Sequence, residues 1–172
     1  QEIFDPENKQ SAICLLNKHP NILVTKTFSK AFGLAGIRVG FAIGNKNIID
    51  ILKRWQLNFP ISIHSAKIAN EALDNIDGLK QTANSFTVER TFLFENISKL
   101  NNLQLGGRSQ TNVFILRHRN KNLFELLLKE GILTADFNQM NGLENQGFVR
   151  ITIRTHKENV FLVKALRKIN EI

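Results

Sequence analysis

The chain has no tyrosine, one cysteine, one methionine and three prolines in 172 residues. A lone Cys14 cannot close an internal disulfide, which excludes a disulfide-stapled scaffold and fits a reducing compartment such as the cytoplasm. No apolar run approaches the roughly 20 residues that a membrane-spanning helix needs, so no membrane partner is expected. The opening QEIFDPENKQ is polar and acidic, unlike a signal peptide, and has no initiator methionine. His19, His64, His118 and His156 show no metal-ligand spacing, so no metal site is expected. Lysine and arginine outnumber aspartate and glutamate, 23 to 15, for a net charge of +8. There is, however, no basic block, zinc knuckle or aromatic-glycine RNA-binding signature, and nucleic acid is not an expected partner. The charge is left to serve an anionic substrate or cofactor, or solubility.

What is present is enough apolar sequence for a packed core, and a clear order of elements. NILVTKTFS (21–29) begins as a β-rich run after the turn signal His19-Pro20-Asn21, and IRVGFAIG (37–44) is a second strand candidate. NIIDILKRWQLNF carries Ile48, Ile49, Leu52 and Trp55 at helical spacing, continuing to Phe59 before Pro60. Ser62 or Ser65 opens a helix that Asp77-Gly78 closes, and a long helix follows over roughly 79–100. LQLGGRSQTNVFILRHR reads as two strand pieces around a Gly-Gly turn, and NLFELLLKEG as a short helix ended by Gly131. GFVRITIRT alternates, with Val149, Ile151 and Ile153 on one face and Arg150, Thr152 and Arg154 on the other. KENVFLVKALRKINEI is a closing amphipathic helix. The order suggests an α/β piece joined to a small α+β lobe.

The stretch TKTFSKAFGLAGIRVGF (25–41) is the densest in chemistry. Covalent use of a lysine requires an amine that loses its proton, and a neighbouring cation or desolvation promotes that loss. Arg38 follows Lys30 by eight residues, across a turn containing Gly33 and Gly36. Thr27 and Ser29 flank the lysine and suit a phosphate, with Arg38 adding charge-assisted hydrogen bonds. The run is neither a P-loop nor a G-x-G-x-x-G dinucleotide fingerprint. Its plain alternative is a surface lysine beside a tight turn.

Ser29-Lys30, Gly33-Leu34-Ala35-Gly36 and Arg38-Val39-Gly40 together resemble the signature of class I/II, fold-type I aminotransferases that use pyridoxal phosphate. TFSKAFGLAGIRVGF is most similar to the histidinol-phosphate aminotransferase branch. The resemblance implies that Lys30 is the covalent attachment point of the cofactor and a proton carrier once substrate frees it. It also implies that Arg38, Ser29 and Thr27 hold the cofactor phosphate.

Read alone, Arg150 and Arg154 are two solvated arginines on one face of a strand. Beside the first motif, VRIT followed by T-x-x-EN resembles the family's C-terminal segment, which implies that Arg150 grips an anionic end of the substrate. The branch has a second arginine in the region that is GILTADFNQMNGL here, where Ala135 takes its place. Arg154 is the candidate to replace that charge. NGLENQGFVRITIRTHKEN also looks like the threonine-phosphate decarboxylase branch.

The expected fold class is α/β: the end of the large fold-type I domain of pyridoxal-phosphate-dependent transferases, plus a small α+β C-terminal domain. Residues 1–60 would finish the cofactor domain, 61–100 form connecting helices and 101–172 form the small domain. The resemblance covers the C-terminal half of a longer enzyme, so this fragment is expected to be inactive alone. The implied activity is amino-group transfer between a phosphorylated or acidic amino compound and a 2-oxo acid, by a cytoplasmic homodimer. Decarboxylation of a phosphorylated hydroxy amino acid and a non-catalytic binding or regulatory role are the alternatives.

Overall fold

A computed structural model describes residues 11–172, so the polar opening QEIFDPENKQ lies outside the described residues. The chain divides into two compact units, one ending at Ala83 and one running Asn84–Ile172.

In the first unit, β1 (Leu23–Thr27) and β2 (Gly40–Gly44) form an antiparallel hairpin in which Leu23 pairs with Gly44 and Thr27 with Gly40. The second strand is shorter than the sequence pattern suggests: Ala35–Ile37 forms a 3-10 turn, and pairing starts only at Gly40. A Cβ at Gly40 would stand 2.7 Å from the Lys26 carbonyl oxygen, so only glycine lets the strands approach there. Helix α1 (Lys46–Trp55) starts where the Asn45 side chain accepts the Asn47 N–H, and it stops at Trp55 instead of running on to Phe59. Helix α2 (Ile63–Asp74) is capped by Ser62, whose hydroxyl accepts the Ser65 N–H. Phe28, Val39 and Ala69 form this unit's small core, with Phe32, Leu34, Ile37 and Ala72 packed around it.

Asp77-Gly78 does not end α2. Asn75 closes α2 and also accepts the Gly78 N–H through Oδ1 at 3.1 Å, so one side chain stops one helix and starts the next. Glycine is needed at 78 to make room for that cap, since a Cβ would meet the Asn75 amide at 2.7 Å. The long helix α3 accordingly spans Ile76–Ile97, three residues earlier at each end than the sequence pattern suggests.

The second unit is a four-stranded antiparallel sheet backed by helices. Its strands are β3 (Leu103–Leu105), β4 (Val113–His118), β5 (Ala135–Asp136) and β6 (Val149–Thr152), in the order β3-β4-β6-β5. The alternation along β6 is realised: Val149, Ile151 and Ile153 are buried, while Arg150, Thr152 and Arg154 are exposed. Helix α4 (Leu123–Lys129) ends before Gly131, which takes the left-handed conformation at φ 76°. The closing helix α5 (His156–Asn170) turns Leu162, Val163, Leu166 and Ile169 inward against Leu93, Leu116 and Leu127. Each fully buried leucine of this core contributes about 1.5–3 kcal/mol of apolar burial. The Asn170 side chain and carbonyl both bond Asn102, tying the end of α5 to the start of the sheet. Among the described residues no helix is long and apolar enough to cross a membrane, and no group of histidine, cysteine and acidic side chains is arranged to hold a metal ion.

His118 at the end of β4 is 4 % exposed. Its Nδ1 accepts the N–H groups of Asn120 and Lys121 at 3.2 and 3.1 Å. The neutral ring therefore carries its proton on Nε2, which is buried without a partner among the described residues. Burial, and secondarily the Lys121 charge, hold its pKa below the ordinary histidine value. A depressed folded-state pKa makes the unfolded chain bind the proton first, so the stability due to this group is complete above the unfolded pKa and is lost as pH falls below it. Urea unfolding measured between about pH 7 and pH 5, across the ordinary histidine value of about 6.5, should show stability falling with acidification. His118→Asn keeps an acceptor without a titrating ring, and should flatten that slope.

Candidate functional site

The candidate residues fall in two sets, one in each unit. The first surrounds the tip of the β1–β2 hairpin. The Phe28 N–H continues the ladder to the Val39 carbonyl at 3.2 Å, and the Phe28 carbonyl takes the Leu34 N–H at 3.0 Å. Phe28 and Ala31 are buried on either side of Lys30, with Val39 beneath the returning strand. The exposed Lys30 is thus displayed between two anchored neighbours, and its carbonyl holds the turn by accepting the Gly33 N–H at 3.1 Å.

Thr27 and Ser29 are brought together as a pair. The Thr27 hydroxyl donates to Ser29 Oγ at 3.0 Å and accepts the Ser29 N–H at 3.1 Å. Both side chains are fixed next to Lys30 by the chain's own local hydrogen bonds.

Arg38 departs from the expectation that glycines make the turn. Gly33 does take a positive φ of 67°, but Gly36 does not, and the second left-handed position is Arg38 itself, with φ 56° and ψ 38°. That conformation costs a non-glycine residue about 1–2 kcal/mol. The guanidinium donates to the Ala35 carbonyl from Nη1 at 2.7 Å, which leaves its other N–H groups exposed and available. The strain sits at an exposed arginine that packs no core.

The donor set can be tested against a phosphorylated aldehyde. Residues 21–49 contain no aspartate or glutamate; Lys30 and Arg38 are exposed around the hairpin tip, and Lys46, beyond β2, pairs with Asp50. One primary amine, a hydroxyl pair and one guanidinium, with no carboxylate within the segment to oppose a dianion, fit an aldehyde bearing a phosphate.

The second set lies in the other unit. Ala135 and Arg150 pair directly across β5 and β6, but β5 ends there, so the chain from Gly131 to Thr134 splays away from Thr152 and Arg154. The opening is a cleft of about 520 Å³ floored by Ile151, Asn159 and Leu162. Arg150 and Arg154 both line it, yet they differ in ion pairing. The Arg150 guanidinium lies 6.0 Å from the Phe137 ring centre and has no ion pair among the described residues. Arg154 donates from Nε to Glu158 Oε1 at 2.6 Å. Glu158 Oε2 accepts the N–H and hydroxyl of Thr155, completing the cap of α5. Those hydrogen bonds, from Thr155 first and Arg154 next, hold the Glu158 carboxyl below the usual carboxylate range and keep it charged.

Sequence reasoning includes two further residues of this set, Glu158 and Asn159, in the T-x-x-EN pattern but gives them no role. Asn159 is 1 % exposed; its amide bonds both the N–H and the carbonyl of Arg154, at 3.1 and 2.8 Å, and donates to Glu89 at 2.8 Å. The available signal is a polar residue inside the apolar stripe of α5. Glu158 is signalled by its place three residues after Thr155, where a capping glutamate belongs.

The family model for aminotransferase class I and II matches residues 3–166. The histidinol-phosphate aminotransferase of Thermoanaerobacter pseudethanolicus is 34 % identical over 156 residues, which is 90 % of this chain and 43 % of that protein. Histidinol-phosphate aminotransferase 1 of Archaeoglobus fulgidus is 32 % identical over 149 residues, 87 % of this chain and 45 % of that one. The chain therefore spans less than half the length of these curated relatives. Among solved structures, the histidinol-phosphate aminotransferase of Clostridium acetobutylicum shares the fold with a TM-score of 0.88 at 23 % identity, covering 98 % of this chain and 51 % of that one. L-threonine-O-3-phosphate decarboxylase of Porphyromonas gingivalis does so with a TM-score of 0.80 at 21 % identity, covering 92 % and 50 %. The chain belongs to the class I and II aminotransferases, and its fold is the α/β fold of that family.

The strain at Arg38 can be measured apart from any function. Arg38→Ala and Arg38→Gly both remove the side chain and its bond to Ala35, but only glycine accepts the left-handed backbone freely. In urea unfolding the glycine variant should be the more stable of the two by about 1 kcal/mol. Equal stabilities would mean that the backbone at 38 is not strained.

Proposed function

We propose that this member of the class I and II aminotransferases contributes the cofactor-bearing lysine and the substrate's anion grip to a pyridoxal-phosphate-dependent aminotransferase. The observation that carries the reading is the hairpin tip, which holds Lys30, the Thr27–Ser29 hydroxyl pair and the strained Arg38 on one loop, with no acidic residue between positions 21 and 49. When bound, pyridoxal phosphate supplies an aldehyde for amines to condense with and a ring that draws electrons from the bonds next to the nitrogen.

The chain's own residues then divide the work. Lys30 Nζ is the attachment point and, once displaced by the substrate amine, takes and returns the substrate proton. Thr27 and Ser29 orient the phosphate by hydrogen bonding, and Arg38 neutralises it with charge-assisted bonds. Arg150 receives an anionic end of the substrate, for which the paired N–H groups of a guanidinium suit a carboxylate. The substrates are an acidic or phosphorylated amino compound and a 2-oxo acid, and the complete protein works as a cytoplasmic homodimer.

The reading is tested on the complete polypeptide that contains this chain. Incubation with pyridoxal phosphate, borohydride reduction and peptide mass mapping should find the label on Lys30 and lose it in Lys30→Ala. Arg38→Ala, which removes charge-assisted bonds worth about 1.5–3 kcal/mol, should weaken cofactor uptake by roughly tenfold or more. Label spread over other lysines with Lys30 unmodified would reject the assignment. Carbon dioxide released from O-phosphothreonine, without amine transfer to 2-oxoglutarate, would move the chain to decarboxylation.

A further inference from the structure

The cleft at the splayed end of β5 and β6 has three places where a positive charge could face a ligand; one holds no charge and one holds a charge that is paired. Ala135 stands directly opposite Arg150 in the antiparallel register, so a basic residue at 135 would share its face of the sheet; alanine brings no charge. Arg154 lines the cleft but is paired with Glu158 at 2.6 Å. Glu158 is not free to leave, because its other oxygen is held by the N–H and hydroxyl of Thr155 at 3.2 and 2.6 Å. Among the described residues lining the cleft, that leaves Arg150 as the one uncompensated cation.

The backbone adds a neutral donor. In an antiparallel ladder successive residues turn their N–H and carbonyl groups to opposite neighbours. Ile153 bonds Asn112, the residue preceding β4, and the Phe148 carbonyl accepts from Phe137, the residue following β5, so the even-numbered residues of β6 address the β5 side. Arg150 meets Ala135 there, and Arg154 meets the Asn159 amide. Thr152, between them, faces the cleft where β5 no longer runs. Thr134 Oγ1, in the cleft wall, is buried without a hydrogen-bond partner.

We propose that Glu158 is a specificity-determining residue: by occupying Arg154 it leaves the cleft one net positive charge, carried by Arg150, and tunes it for the single charge of a carboxylate over a doubly charged phosphate. The proposal rests on the reading of Arg150 as the substrate's anion grip, and narrows the substrate class at this cleft to a carboxylic acid end. A planar carboxylate matches the two parallel N–H groups of Arg150, with Thr152 N–H as a further donor. The exposed side chains of Leu133 and Phe161 in the same cleft suit a short apolar body behind that carboxylate.

The charge at 158 acts on a bound anion in proportion to the anion's own charge, so removing it helps a dianion more than a monoanion. The test uses the complete polypeptide that contains this chain, without added cofactor. The Arg150 Nε–H and Thr152 amide resonances are followed during titration with sodium pyruvate or inorganic phosphate, at constant ionic strength and about pH 8, where phosphate is mostly doubly charged. Both signals should shift saturably with pyruvate. Glu158→Gln keeps a capping acceptor while deleting the charge. It should raise the ratio of phosphate to pyruvate affinity by about two- to fivefold, the scale of one exposed ion pair. Ala135→Arg, which leaves the α5 cap untouched, should raise the same ratio and carries the test if Glu158→Gln loses helix by circular dichroism. Absence of saturable shifts with either anion, or an unchanged ratio in the folded variants, overturns the proposal. Because the readout needs no cofactor, loss of Lys30 labelling with this preference intact would reject the enzymatic reading alone.

Discussion

The Asn159 side chain completes a sheet edge that the strands leave unfinished. Strand β6 is held on one side by β4 along its length, but on the other side β5 reaches only as far as Arg150. Four residues later the Arg154 N–H and carbonyl need partners at the same edge, and one buried amide supplies both. An unpaired buried backbone group costs on the order of 1–3 kcal/mol, so a side chain that satisfies two is a strong local constraint. Glu89 on α3 fixes the amide from behind through Nδ2 and also meets His156 Nδ1 at 3.0 Å. Because Arg154 is held at this point, α5 begins at His156, Thr155 and Glu158 form its cap, and the Arg154 side chain lies within reach of Glu158. The cleft's geometry and its charge therefore descend from the same buried amide.

The hairpin of the other unit follows a different logic. Its two strands bury little, and its order comes from Phe28, Val39 and Ala69 beneath the turn. On that footing the loop displays an exposed amine and holds an arginine in a backbone conformation that arginine disfavours. A glycine at 38 would serve the turn better; the arginine there is the residue we propose for a negatively charged partner. Conformational strain and charge are concentrated at the same residue.

Much of this was legible in the sequence. The period-two pattern of GFVRITIRT placed Arg150 on the open face and Val149, Ile151 and Ile153 in the core, because alternation in a strand with one covered face leaves no other choice. The lysine segment was legible by its spacing, since residue types at fixed intervals survive without knowledge of coordinates. Helix ends were not. Asp77-Gly78 looks like a stop signal, but a glycine within the first turn of α3 is what the Asn75 cap requires, and residue type alone does not separate the two uses. Nor does the sequence show that Arg38 is left-handed, because no composition rule assigns a positive φ to arginine.

The two arginines of GFVRITIRT look equivalent as letters, four apart and on one face. What separates them is where the sheet ends. Arg150 lies where β5 still runs, and its cross-strand neighbour Ala135 is neutral, so its charge faces outward uncancelled. Arg154 lies past the end of β5, where the chain turns into a helix, and a helix start attracts a carboxylate at its third position for reasons unrelated to arginine. That carboxylate is Glu158, and one side chain serves both the helix and the guanidinium. The electrostatics of the cleft thus follow from capping chemistry: a requirement of local folding fixes which of two arginines remains available to an anion.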